Sequence, residues 1–322
     1  MSIETARLDW QRSRRLLQPL QQTITESIDA GGVLGEAAFH HLNTPGKRLR
    51  GRLALATAAA FGVAPREMLP VAAGVEMLHE ASLVHDDLQD RDQQRRGRES
   101  VWARYGDDVA LILGDYLIAT AMNLFGRAPA EHVGSVVQRA CTAVSRLGQG
   151  QLLDLRLTPE TIAGFDEYET MVRFKTGALL SLPVEVAAVV GGQKLETAKL
   201  IGDAMSWLGV AYQVLDDLAD LDGAKDRTAQ SDLRQQRPSA VWLHARALEL
   251  DPVVQPDARA AIRNACTAHA AQALGYWQEL ASQLPEPPRR VLEAAGREVA
   301  LGPTPETSPM SMLMERKQAI AS

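Results

Sequence analysis

Apolar residues recur along the chain at three- and four-residue spacing, the period of amphipathic and buried helices. Alternating Val/Ile/Thr runs that would read as strands are absent, and Ala and Leu dominate. The pattern predicts helix after helix. Breaks are predicted at Ala30–Gly32, Asn43–Gly46, Gly62–Pro65, Gly97–Ser100, Thr158–Gly164, Gly191–Gly192, Asp222–Ser231, Asp251–Pro256 and Leu284–Pro288. None has the composition of an interdomain linker, and no solenoid period occurs. The three prolines of Gly302–Pro309 predict the end of the fold. The expectation is one all-α domain over residues 1–301 and a loosely held tail over 302–322.

With 322 residues, 46% of them hydrophobic, the chain can bury a large core without staples. A net charge of −6 argues against a nucleic-acid surface, so an anionic ligand needs a local basic cluster or a bridging metal. Cys141 and Cys266 lie far apart and suit a reducing compartment, both expected to be buried. The seven histidines form no zinc pattern. The polar N-terminal run has no apolar core of signal-peptide type. Apolar stretches such as Leu53–Ala64 fall short of the roughly 20 residues that cross a bilayer. A cytoplasmic protein without a membrane span is expected.

One short pattern occurs twice. Asp86-Asp87-Leu88-Gln89-Asp90 and Asp216-Asp217-Leu218-Ala219-Asp220 are both Asp-Asp-x-x-Asp, each preceded by an apolar run. On a helix the first and last Asp stand one turn apart on one face, with the middle one about 100° away. Three carboxylates in one turn, near a helix C-terminus where the dipole disfavours anions, gain no stability from that arrangement. A divalent cation reverses the sign. Oxygen ligands on open acidic faces favour Mg²⁺ that completes its shell with water and substrate phosphate. The plain alternative for either triplet alone is a solvated acidic helix end.

Basic residues of the kind that hold phosphate are also present. In Asn43-Thr44-Pro45-Gly46-Lys47-Arg48-Leu49-Arg50 a Pro-Gly turn precedes Lys47 and Arg50, expected on one helical face. Arg95-Arg96-Gly97 follows the first triplet. Lys175-Thr176 lies inside an apolar helix, among Met171, Val172, Phe174, Ala178, Leu179 and Leu180. Arg offers bidentate contacts to phosphate oxygens and Lys a compact charge. Each cluster alone also reads as surface charge.

In order and spacing, Gly46-Lys47-Arg48…Arg50, His79, the first triplet, Arg95-Arg96-Gly97, Lys175-Thr176, Gln213 and the second triplet resemble the trans-isoprenyl diphosphate synthases. The resemblance covers roughly residues 40–240. It implies a single helical bundle around a deep central cavity, an isoprenoid-synthase fold, usually homodimeric, with the two Asp-rich motifs facing each other across the cavity mouth. It also implies that Asp86, Asp87, Asp90, Asp216, Asp217 and Asp220 hold Mg²⁺ against an allylic diphosphate. Arg95 and Lys175 would grip that diphosphate, with Thr176 and Gln213 beside the reacting centre. Gly46, Lys47, Arg50, His79 and Arg96 would bind isopentenyl diphosphate. For His79 the plain alternative is a core histidine.

The pattern departs from the family after the second triplet. Asp226-Arg227 through Asp232, then Arg237-Pro238-Ser239-Ala240-Val241, stand where a Gly-Lys-x-x-Gly-x-Asp stretch and a Lys with Thr-Leu-Pro are usual. Arg227 and Arg237 keep the charge for substrate binding but change the hydrogen-bond geometry. Gly51 replaces a common Pro. The residue five before the first Asp, Ala81, lies about 7.5 Å below the carboxylates. In the family a bulky aromatic there ends chain growth. Ala81 with Ser82, and Leu78 one turn further down, imply a product of C20 or longer.

Two other functions compete. A class I terpene cyclase also ionises an allylic diphosphate beneath an Asp-rich motif, but has no use for Lys47, Arg50 and Arg96. A non-catalytic subunit of a heteromeric synthase shares the fold, but such subunits tend to lose an Asp triplet.

Overall fold

The computed structural model describes residues 10–43, 46–158, 160–221, 238–250 and 256–301. Arg227, Arg237, the break at Asp222–Ser231 and the 302–322 tail lie outside the described residues. The chain divides into two compact units. One comprises Met1–Thr142, Leu182–Lys199 and Glu286–Val291, the other Ala143–Ser181, Leu200–Pro285 and Leu292–Ser322.

In the first unit, α1 (Leu17–Glu26), α2 (Gly32–Leu42), α3 (Leu49–Ala60) and α4 (Pro65–Asp90) precede a short ribbon. Pro65 opens α4 at a position whose N–H has no intrahelical partner. Met68, Val71, Ala72, Val75, Met77, Leu78, Ala81 and Val84 are all buried, as are Glu76 and Glu80, so α4 is enclosed on most sides and serves as the unit's axis. It packs most extensively on α6 (Asp107–Phe125), and also on α3 and α1. Helix α6, which packs on α2 and on α5 (Val101–Tyr105) as well, is long and apolar enough by length and composition to cross a membrane. It was not the stretch the sequence pointed to, because Asp107, Asp108 and Asp115 punctuate its apolar run.

The expected absence of strands has one exception among the described residues. β1 (Gln94–Arg95) and β2 (Arg98–Glu99) pair antiparallel, with Arg95 opposite Arg98. The two residues between them, Arg96 and Gly97, both have positive φ (54° and 75°). That is the geometry a two-residue hairpin needs, and it is costless only at the glycine.

Helices α7 (Val133–Arg156), α9 (Ala178–Val190), α10 (Leu195–Leu221) and α13 (Glu286–Leu301) complete the chain together with those of the second unit, α8 (Phe165–Val172), α11 (Ala240–Ala247) and α12 (Pro256–Ser282). Within the second unit α11 packs on α12 and α8. Two expectations fail here. Cys266 is buried but Cys141 is exposed, because the buried stripe of α7 runs through Val136, Ala140 and Ala143 and position 141 falls beside it. The break expected through Pro288 ends at Pro285: α13 opens at Glu286 and takes Pro287 and Pro288 into its first turn, where no N–H is needed.

Candidate active site

Helix α4 ends at Asp90, and Arg91 caps it in the left-handed conformation (φ 57°). The first triplet therefore occupies the last helical turn. Asp86 and Asp90 are part-buried one turn apart, while Asp87 is turned into the protein with 1% of its surface exposed. Arg95 holds it, donating from Nε to both oxygens (2.9 and 3.2 Å) and from Nη2 to Oδ1. Burial pushes the Asp87 carboxyl above its ordinary pKa, and Arg95 pulls it back. The expectation of a wholly open acidic face is corrected. The 100° offset of the middle residue sends it inward.

The second triplet stands at the end of α10, and its middle residue is buried as well. Asp217 is buried and accepts from Tyr168 Oη (2.7 Å), from the backbone N of Ala240 (2.8 Å) and from Gln213 Nε2 (3.0 Å). Burial, then the charge and hydrogen bond of Asp217, raise the Tyr168 hydroxyl well above its usual pKa, so it stays a donor. Ala240 is the first residue of α11, whose N-cap Ser239 accepts from Trp242 N (3.4 Å). Asp217 thus meets a helix N-terminus, where a carboxylate is favoured. Asp220 is buried too, and Asp216 is part-buried.

Lys175 does not lie in regular helix. Arg173–Gly177 forms a π-helical turn between α8 and α9, the kind of bulge that recurs at functional sites. The turn carries Lys175 Nζ to Asp154 of α7. Thr176 Oγ1 donates to Gln213 Oε1 (3.2 Å), which joins it through Gln213 to Asp217. A cavity of about 50 Å³ opens between these groups, lined by Asp154, Tyr168, Met171, Val172, Lys175, Thr176, Gln213, Asp217 and Pro238. Sequence reading missed Asp154 and Tyr168. The signal for Asp154 was a lone acid in the apolar run Leu152–Leu155, one turn after Gly150.

The basic motif is arranged differently from the expectation. Lys47 is exposed and precedes α3, and Arg48 adopts a left-handed conformation (φ 46°) at its N-cap. Lys47 and Arg50 therefore do not share a helical face. Arg48 is buried, donating to Glu80, to Leu42 O (2.9 Å) and to Gln21 Oε1 (3.0 Å). Arg96 reaches Glu80 Oε1 with both terminal nitrogens (3.3 and 3.4 Å). His41 Nε2 lies 2.8 Å from Glu80 Oε2. Burial would raise Glu80, but His41 and Arg96 hold its carboxyl well below the usual range.

Glu76, pushed up by burial, accepts from Gly51 N (2.6 Å). A proline at 51 would lack that N–H and lose the bond. His79 is part-buried. Burial first, and then the Arg50 charge, depress its pKa well below the ordinary value, so it stays neutral. Glu76 and Glu80 were missed, although two acids at i, i+4 inside an apolar helix were a signal.

Ala81 and Leu78 are buried on α4, and Ser82 Oγ donates to His79 O (2.7 Å). Among the described residues no three of His, Cys, Asp and Glu converge as a ready-made metal cluster. Two carboxylates one turn apart still fit Mg²⁺, which takes one or two of them and fills its remaining positions with water and phosphate.

An all-helical fold ending two of its helices in Asp triplets defines a class, and comparison with known proteins defines the family. The polyprenyl synthetase family model matches residues 32–276, and the chain belongs to that family. It is 31% identical over 239 residues to the short chain isoprenyl diphosphate synthase of Methanocaldococcus jannaschii, covering 72% of each chain. It is 35% identical over 198 residues to the (2E,6E)-farnesyl diphosphate synthase of Mycobacterium tuberculosis, covering 61% of this chain and 55% of that one. Among solved structures, the decaprenyl diphosphate synthase of Rhodobacter capsulatus superposes with a TM-score of 0.76 at 26% identity, covering 89% of this chain and 98% of that one. The relatives are trans-prenyl diphosphate synthases of differing chain length, and the chain is by family a prenyltransferase. Polyprenyl synthases generally use a divalent metal.

Proposed function

We propose that this protein, acting as one catalytic domain over residues 1–301, condenses an allylic diphosphate with isopentenyl diphosphate to give a trans-polyprenyl diphosphate of C20 or longer. One observation carries the reading. Thr176 of the π turn and Gln213 and Asp217 of α10, from two separate parts of the family motif, join in one hydrogen-bonded line beside Lys175 and a cavity.

Mg²⁺ held by Asp86 and Asp90, and by Asp216 with Asp220, would supply the charge that lets the allylic C–O bond ionise. The chain's own groups do the rest. Lys175 and Arg95 bind the departing diphosphate, each pre-aimed by a carboxylate, Asp154 and Asp87. Thr176 and Gln213 fix polar atoms beside the reacting centre. Arg50, His79 and Arg96, with Lys47 and Gly46, take isopentenyl diphosphate, which attacks the allylic carbon and then loses a proton to the released diphosphate. The buried apolar wall of α4 at Leu78 and Ala81 excludes water from the cation. A homodimer and a cytoplasmic location belong to the same reading.

Calorimetry with geranyl diphosphate and Mg²⁺ tests it. Binding that needs the metal and is lost in Asp86→Ala and Asp216→Ala supports the reading. Metal-independent binding, or none, overturns it.

A further inference from the structure

Two arginines hold left-handed backbones on either side of one buried carboxylate. Arg48 (φ 46°) and Arg96 (φ 54°) come from the cap of α3 and the turn of the β ribbon, and both bond Glu80 Oε1. A left-handed backbone is unfavourable for a non-glycine residue, so such residues persist where their surroundings fix them. Arg48 is buried in the interior, whereas the Arg96 side chain is 26% exposed and its guanidinium lies flat against Gly46, where an added Cβ would stand 3.1–3.2 Å away. Gly46 is the glycine of the basic motif. Glu80 itself is 1% exposed, with His41 on its second oxygen. Shut away from the surface, it holds the Arg96 guanidinium, whereas Asp87 holds that of Arg95.

We propose that Glu80 is a positioning residue for isopentenyl diphosphate, pre-aiming the Arg96 guanidinium against Gly46 and setting the cap of α3 through Arg48, so that Arg96 and Arg50 converge on one diphosphate. The inference rests on the proposed function, specifically on Arg96 as a diphosphate ligand. A buried charge network with only a structural role would change stability and leave the two substrates' constants in proportion. A positioning role acts on one substrate alone.

Steady-state kinetics with both substrates varied, on wild type, Glu80→Gln, Arg96→Ala and the double variant, separate these cases. The expected result is a KM for isopentenyl diphosphate at least about tenfold higher in Glu80→Gln, with KM for the allylic substrate within about twofold. The double variant should be little worse than Arg96→Ala, because both changes remove one interaction. Proportional changes in both constants, or full additivity, overturn the proposal. If Arg96→Ala leaves the isopentenyl diphosphate constant unchanged, the underlying reading of Arg96 fails instead, and the proposal falls with it. Should Glu80→Gln not fold, Glu80→Asp decides. It keeps the charge but withdraws it by one methylene, and an unchanged KM for isopentenyl diphosphate in a folded Glu80→Asp enzyme also overturns the proposal.

Discussion

Tyr168 donates its hydroxyl to Oδ2 of Asp217 at 2.7 Å, and in doing so takes the middle carboxylate of the second Asp triplet out of reach of solvent. Arg95 does the same to Asp87 in the first triplet. In both motifs the middle aspartate ties down a neighbouring element, although in the second the outer Asp220 is buried too. The outer aspartates stand one turn apart on one face, and the middle one anchors a neighbouring element. In the first motif the anchored element is the β ribbon with its arginine turn. In the second it is the N-terminus of α11.

Tyr168→Phe removes one donor from the buried Asp217 and leaves those of Ala240 and Gln213 in place. The expected loss is about 1–3 kcal/mol of folding free energy, measured by urea unfolding. Turnover should fall by less than in any outer-aspartate variant. A variant as stable as wild type would show that the hydroxyl does not anchor Asp217.

Outer and middle aspartates should separate by readout. Asp86→Ala and Asp216→Ala are expected to lower kcat at least about a hundredfold with little change in stability, since they would remove metal ligands. Asp87→Ala should lower stability as well, by roughly 3–5 kcal/mol, because it strands the partly buried Arg95 cation. Equal stability losses at positions 86 and 87 would contradict the division.

Ala81 is buried on α4, 1% exposed, so a larger side chain there must displace whatever the wall encloses. Ala81→Phe is expected to shorten the product by at least one five-carbon unit, read by mass spectrometry. Overpacking should cost roughly 1–3 kcal/mol of stability. Unchanged product length in a folded variant removes Ala81 from the chain-length wall.

A histidine chain outside the active site sets a pH dependence. His244 Nε2 lies 3.4 Å from His269 Nδ1, whose Nε2 lies 2.9 Å from Glu169 Oε1, and Phe165 stacks on His244 at 4.6 Å. Burial, and secondarily His269, push the His244 pKa down to about 4. The group is neutral in the fold and charges near pH 6.5 when unfolded, so its stabilising contribution is full above about pH 6.5 and is lost as pH falls toward 4. Allowing for its partial exposure, the loss is on the order of 1–2 kcal/mol. Urea unfolding between pH 7 and pH 4 should show this decline, and His244→Gln should flatten it.

Much of this was legible in the sequence because helical period and motif spacing are local properties. Both triplets lie where the apolar runs placed them, at helix ends, and Lys175, Thr176 and Gln213 gather as the motif order implied. What escaped was set by contacts between distant segments. Nothing near Tyr168 marks it as the partner of a residue 49 positions later. The π turn at Arg173–Gly177 has no period to read, and the left-handed Arg48 and Arg96 break the rule that glycine takes such positions. Glu76 and Glu80 were visible as paired acids in an apolar helix, but which basic groups would neutralise them depends on the tertiary fold.

The most direct test is to incubate the purified protein and Mg²⁺ with geranyl or farnesyl diphosphate, with and without isopentenyl diphosphate, and identify the products by mass spectrometry. The account predicts elongation to C20 or beyond, only when isopentenyl diphosphate is present. A cyclic hydrocarbon formed from the allylic substrate alone, or no turnover in either case, would contradict it.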